Sequence, residues 1–168
     1  MWLTRARLPA LASGILRALV DPELIETSSR EEVQADVLAV LEQYLRDEQD
    51  LSTRARDLAA GRGGSATEQS RIKRELARKQ GVGIGDEAID YVLGQMVEML
   101  LHSGSVEEIF AQDHELKLAM RAPLRAEQAA AEQVDEVVRK RMKNVEEGSS
   151  QWEVEYQRLR EEVQRRRT

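Results

Sequence analysis

With 168 residues, 25 Lys and Arg against 31 Asp and Glu, a formal charge of -6 and no cysteine, the chain can hold no disulfide framework, thiolate zinc site, iron–sulfur cluster or cysteine nucleophile. The acidic balance argues against wholesale coating of nucleic acid and leaves local basic patches open. A composition that is 41% hydrophobic, 33% charged and only 4% aromatic predicts an all-α protein with one ordinary core or two small ones, suited to a reducing cytosol; no strand pattern competes.

Arg5 and Arg7 before the apolar run from Leu8 to Val20 have the outline of a signal peptide, but Arg17 falls inside the run. Leu8, Leu11, Ala12, Ile15, Leu16 and Leu19 instead make one stripe of an amphipathic helix that faces a core. The sharper alternative is a membrane-surface helix with Trp2 as its interfacial anchor. No stretch reaches the length of a membrane span. Asp21 and Pro22 end this helix, and Thr27, Ser28 and Ser29 with Glu31 and Glu32 cap the next. That helix is long, with Val33, Val37, Val40, Leu41, Tyr44 and Leu45 on a broad apolar face. The acidic knot Asp47, Glu48, Asp50 is a place for a bend before an arm carrying Leu51, Ala55 and Leu58.

Gly63 and Gly64 mark a turn, and Ser65 with Glu68 is a capping box for a helix through Ile72 and Leu76. Residues 81–85, with three glycines, predict a flexible linker between two halves. A phosphate-binding loop is disfavoured there, because no strand precedes it. Asp86 is expected to cap a central helix with Ile89, Val92, Leu93, Met96, Val97, Leu100 and Leu101 over more than half its circumference. Residues 105–110 suggest a short capped turn. Asp113 then opens a helix through Leu116, Met120 and Leu124, which Pro123 should kink or restart near Ala122.

The strongest pattern lies at the C-terminal end. Val134, Val138, Met142 and Val145 share one helix face; Glu146, Glu147 and Gly148 break it; Ser150 and Glu153 then read as a capping box. On the second arm Trp152, Tyr156, Leu159 and Val163 form a narrow apolar seam, for packing or for a partner helix. The facing arm offers a stripe to fill it, so Trp152 should be substantially buried within the chain. A weaker copy of this hairpin lies in the first half at an offset of about 83 to 87 residues, which suggests an internal duplication. The expected organisation is therefore an N-terminal helical half over residues 1–80, a Gly-rich linker over 81–85 and a C-terminal helical half over 86–168, the second the more stable because it holds Trp152 and Tyr156.

Candidate chemistry is thin. His102 shares a helix face with Glu98, and His114 sits between Asp113 and Glu115, but neither histidine has the Glu-x-x-His spacing of carboxylate-bridged metal sites in bundles. No metal, cofactor or catalytic residue is assigned, and no enzyme is expected. The remaining candidate is a basic patch of Arg139, Lys140, Arg141 and Lys143 with Arg165, Arg166 and Arg167; a further cluster gathers Arg71, Lys73, Arg74, Arg78 and Lys79. Against nucleic-acid binding stand the interleaved Glu75, Glu161 and Glu162, and the dipole that favours cations at helix C-termini.

The run Asp113, His114, Glu115, Leu116, then Val134 through Arg139, then Asn144, Val145, Glu146, Glu147, Gly148, Ser149, with Trp152, Glu153, Glu155, Tyr156 and the closing arginines, resembles the bacterial family catalogued as domain of unknown function 507. The similarity extends over nearly the whole chain. It implies an intracellular, mainly helical bacterial protein and transfers no activity or catalytic residue. The expected role is a non-enzymatic cytoplasmic interaction or structural protein with a protein partner; the alternative is a nucleic-acid- or ribosome-associated protein acting through its basic helix ends.

Overall fold

A computed structural model describes residues 1–61, 63–142, 144, 147 and 149–166. The features expected at Lys143, Val145, Glu146, Gly148 and Arg167 lie outside the described residues. In chain order the elements are α1 (Leu8–Val20), β1 (Ile25–Thr27), α2 (Arg30–Ala60), α3 (Ala66–Gln80), α4 (Ala88–His102), β2 (Val106–Ile109), α5 (Asp113–Arg141) and α6 (Ser150–Arg165), with 3-10 turns at Arg5–Arg7 and Gly85–Glu87. The fold is mainly α-helical. One order, a 3-10 turn followed by helix, strand, long helix and short helix, occurs twice. The packing follows the same pattern: α1 lies on α2 and α5, α4 lies on α5 and α2, and each long helix carries its own short one.

The strands are a departure from expectation. With three and four residues they are too short to write an alternating pattern, and each links a first helix to a long one. They pair antiparallel, Ile25 opposite Ile109, Glu26 opposite Glu108 and Thr27 opposite Val106. Backbone bonds extend the link on both sides, from Ser28 N–H to Ser105 O at 3.2 Å and from Phe110 N–H to Leu24 O at 2.9 Å. Glu26 facing Glu108 is a like-charge pair that weakens the ladder, so helix packing must hold it.

Residues from both sides of the Gly-rich stretch build the main core. Leu8, Ile15 and Leu19 of α1, Val37 and Leu41 of α2, Leu93 and Met96 of α4, and Leu116, Met120 and Leu124 of α5 form one buried cluster. Trp2 is buried in it and tilts against Tyr44 with ring centroids 6.3 Å apart, so the first helix and its aromatic neighbour face the core. Among the described residues no helix is long and apolar enough to cross a membrane.

Within residues 81–85 Gly83 is buried and Val82 and Ile84 are half-buried, while Gly81 and Gly85 are exposed. Gly81 ends α3 at φ +69, the left-handed conformation that closes helices, and Val82 packs on the main core. Gly83 is buried; a Cβ there would meet Tyr91 Cβ at 2.6 Å and Glu87 O at 2.8 Å. The Tyr44 hydroxyl donates to Gly83 O at 3.1 Å. Burial first, then the charge of Glu48, pushes the Tyr44 phenol well above its ordinary pKa, which keeps it a donor.

Two helix starts follow the predicted caps. Ser29 accepts from Glu32 N–H at 3.3 Å and Ser65 from Glu68 N–H at 3.1 Å. Two caps differ. α6 begins one residue early, with Ser149 accepting from Trp152 N–H at 3.1 Å, and Asp86 lies in a 3-10 turn so that Glu87 precedes α4 without a side-chain bond. α2 runs unbroken through the acidic knot, and α5 runs unbroken through Pro123, whose ring packs where Gly14 of α1 leaves room, 3.8 Å from the position of a Gly14 Cβ.

Candidate functional site

The sequence-predicted seam is filled from within the chain. Val134 and Val138 of α5 and Met142 at its C-terminal cap meet Leu159 and Val163 of α6 in a satellite core, with Val137, Trp152 and Tyr156 packed against it. Trp152 is half-buried, stacked on Tyr156 with ring centroids 4.8 Å apart, and the Arg139 guanidinium lies 5.6 Å above its ring. The Tyr156 hydroxyl donates to Asp135. Burial, followed by that bond, pushes its pKa up to about 12. We expect Trp152→Ala to cost about 2 kcal/mol in a denaturant melt, because only part of the ring is out of water. An unaltered melt accompanied by loss of a dimer in light scattering would show instead that the seam serves a second chain.

The corresponding contact in the first hairpin is smaller. Ala55, Ala59 and Ile72 form its cluster with Leu76 against it, while Leu58, expected on this face, is exposed. The stripe continues from Leu51 at steps of four to Ala55 and Ala59, so Leu58 points away.

Every described member of the basic patch is ion-paired. Arg139 reaches Asp135 and Glu147, both at 2.8 Å; Lys140 reaches Glu136 at 2.6 Å; Arg141 reaches Glu162 at 3.6 Å. Arg165 lies 3.5 Å from Glu161 and Arg166 2.9 Å from Glu162. The hydrogen bond that Arg139 donates to Glu147 leads in raising the Arg139 pKa, and the Lys140 ammonium lowers that of Glu136. In the first hairpin Arg71 pairs with Glu68 at 2.8 Å, Lys79 with Glu75 at 2.9 Å and Lys73 with Glu48 at 3.1 Å. Most are exposed pairs three or four residues apart; they add little stability and they cancel charge.

Sequence reasoning missed a cleft of about 800 Å³ between residues 1–7, the middle of α2, the second half of α5 and α6. Its residues come from four separate segments, so no local pattern marks it. Arg160 of α6 lines it and is only 6% exposed; Nη2 donates to Met1 O at 2.9 Å. On the opposite wall Arg7 grips buried Glu127 through two bonds, at 3.3 and 3.1 Å. One signal was available: Arg160 follows Tyr156 by four residues, which puts a charge on the apolar face of α6.

The histidines lie elsewhere. His102 is exposed at the end of α4 with Nδ1 2.8 Å from Glu98 O, and His114 is exposed in the first turn of α5. Among the described residues no three His, Cys, Asp or Glu side chains converge to hold a metal ion.

A family model described as "Protein of unknown function (DUF507)" matches residues 1–168, and the chain belongs to that family. No curated protein matches the sequence.

Proposed function

We propose that the chain is a non-enzymatic interaction or structural protein of the bacterial cytoplasm, and that its partner is a protein. The ion pairing of the basic patch carries the ranking: Arg139, Lys140, Arg141, Arg165 and Arg166 each have a carboxylate within 3.6 Å. Phosphate binding draws its affinity from cations that release counterions, and these cations are already neutralised. The repeated order of elements supports an internal duplication, in which each half supplies a helix, a strand, a long helix and a short one.

Affinity purification of the tagged protein from its host, with and without nuclease, separates this reading from a nucleic-acid- or ribosome-associated role. A protein partner retained after nuclease is the expected result; partners lost with the nucleic acid would reverse the ranking. Replacing Arg165, Arg166 and Arg167 by Glu is expected to leave any RNA co-purification and its salt dependence unchanged. RNA retained at moderate salt by the wild type and lost by this variant would favour the nucleic-acid role, since each phosphate contact contributes to the salt slope.

A further inference from the structure

Three charged side chains are buried among the described residues: Glu48, Glu127 and Arg160. Two have an ionic partner. Lys73 Nζ lies 3.1 Å from Glu48, and Arg7 makes a two-bond clasp on Glu127. Arg160 has none among the described residues; its hydrogen bond goes to the neutral carbonyl of Met1. A buried charge without a counter-charge is costly, and a guanidinium offers five N–H donors in a planar fork, of which one is used here.

The surroundings of Arg160 say what would satisfy it. Arg5, Arg7, Arg160 and Arg165 line the cleft against Glu127 and Glu161, an excess of positive charge in a chain whose formal charge is -6. Arg5 is exposed and has no ionic partner among the described residues. Beyond Glu127, which Arg7 clasps, the α5 wall is apolar, formed by Ala130, Ala131 and Val134. The volume of about 800 Å³ falls within the range of small-molecule sites.

We propose that this cleft is a binding site for a small amphipathic carboxylate, with Arg160 holding the carboxylate and the α5 wall receiving its aliphatic body. A planar carboxylate matches the guanidinium fork and supplies the missing counter-charge without dehydrating a second protein side chain. An uncharged apolar molecule would leave Arg160 uncompensated.

The test uses untagged full-length protein, because Met1 borders the cleft, and octanoate as probe, with acetate and octanol as controls, by isothermal titration calorimetry at millimolar concentrations. One-to-one binding of octanoate, tighter than acetate and octanol by about tenfold or more, is the expected result. Arg160→Gln should weaken octanoate binding by a similar factor. Since that change also removes the bond to Met1, Ala130→Glu at a half-buried wall position provides a second variant that leaves Arg160 in place; its carboxylate should occupy the site and abolish octanoate binding. Absence of octanoate binding would overturn the proposal. So would octanol binding as tight as octanoate, or octanoate binding unchanged by Ala130→Glu in a variant with a wild-type melt.

Discussion

Replacing Gly83 by Ala is expected to destabilise the protein by about 3 kcal/mol, far more than its size suggests. The added methyl would lie 2.6 Å from Tyr91 Cβ and 2.8 Å from Glu87 O, contacts that no rotamer change relieves because both partners are at or next to the backbone. Either α4 moves outward or residues 81–85 retreat, and the second choice breaks the bond from Tyr44 to Gly83 O. Gly85→Ala is the internal control. At φ +61 it has strained backbone but open space around a Cβ, so its cost should stay near 1 kcal/mol. Urea melts of both variants decide. Equal costs would mean that Gly83 is not held against α4 as described.

Lys73→Ala should have a comparable effect through electrostatics. Glu48 is 5% exposed on the inner side of α2, its Oε1 accepts from Lys73 at 3.1 Å, and its Oε2 has no hydrogen-bond partner. Removing the ammonium leaves a buried carboxylate already short of one bond, which costs about 3 kcal/mol where one member of a buried pair is deleted. Replacing both, with Glu48→Gln and Lys73→Met, should recover most of that loss because no charge then stays buried. A Lys73→Ala variant within about 0.5 kcal/mol of wild type would show that water screens the pair.

The helices were legible in the sequence because their signals are local. The stripe from Leu8 to Leu19, the Ser29 and Ser65 caps, and the facing stripes of α5 and α6 each lie within one helix, one turn or one hairpin. What escaped depends on residues distant in sequence. β1 and β2 exist because Ile25 meets Ile109, and neither strand is long enough to announce itself. Gly83 resembles a linker glycine until Tyr91 and Tyr44 are placed around it. Pro123 suggests a break, yet it lies inside one helix opposite Gly14, another pairing that spacing along the chain cannot supply. The basic patch was visible as a list of cations, while its neutralisation by Asp135, Glu136, Glu161 and Glu162 follows from geometry at steps of four and across the hairpin. Arg160 carried one local signal, its place four residues after Tyr156 on the apolar face of α6, but the cleft it lines draws on segments distant in sequence.

The two sets of elements that follow the same order share one core, and separated fragments test this. Residues 1–80 contribute α1 and α2 to that core, and residues 86–168 contribute α4 and α5; in isolation the latter keeps the satellite cluster around Val138 and Leu159, and the former only Ala55, Ala59 and Ile72. Circular dichroism with thermal melting is therefore expected to show no cooperative transition for either fragment alone, with residual helix greater in 86–168, and a cooperative melt when the two are mixed. A fragment that melts cooperatively by itself, with the same transition in the presence and absence of the other, would contradict a shared core.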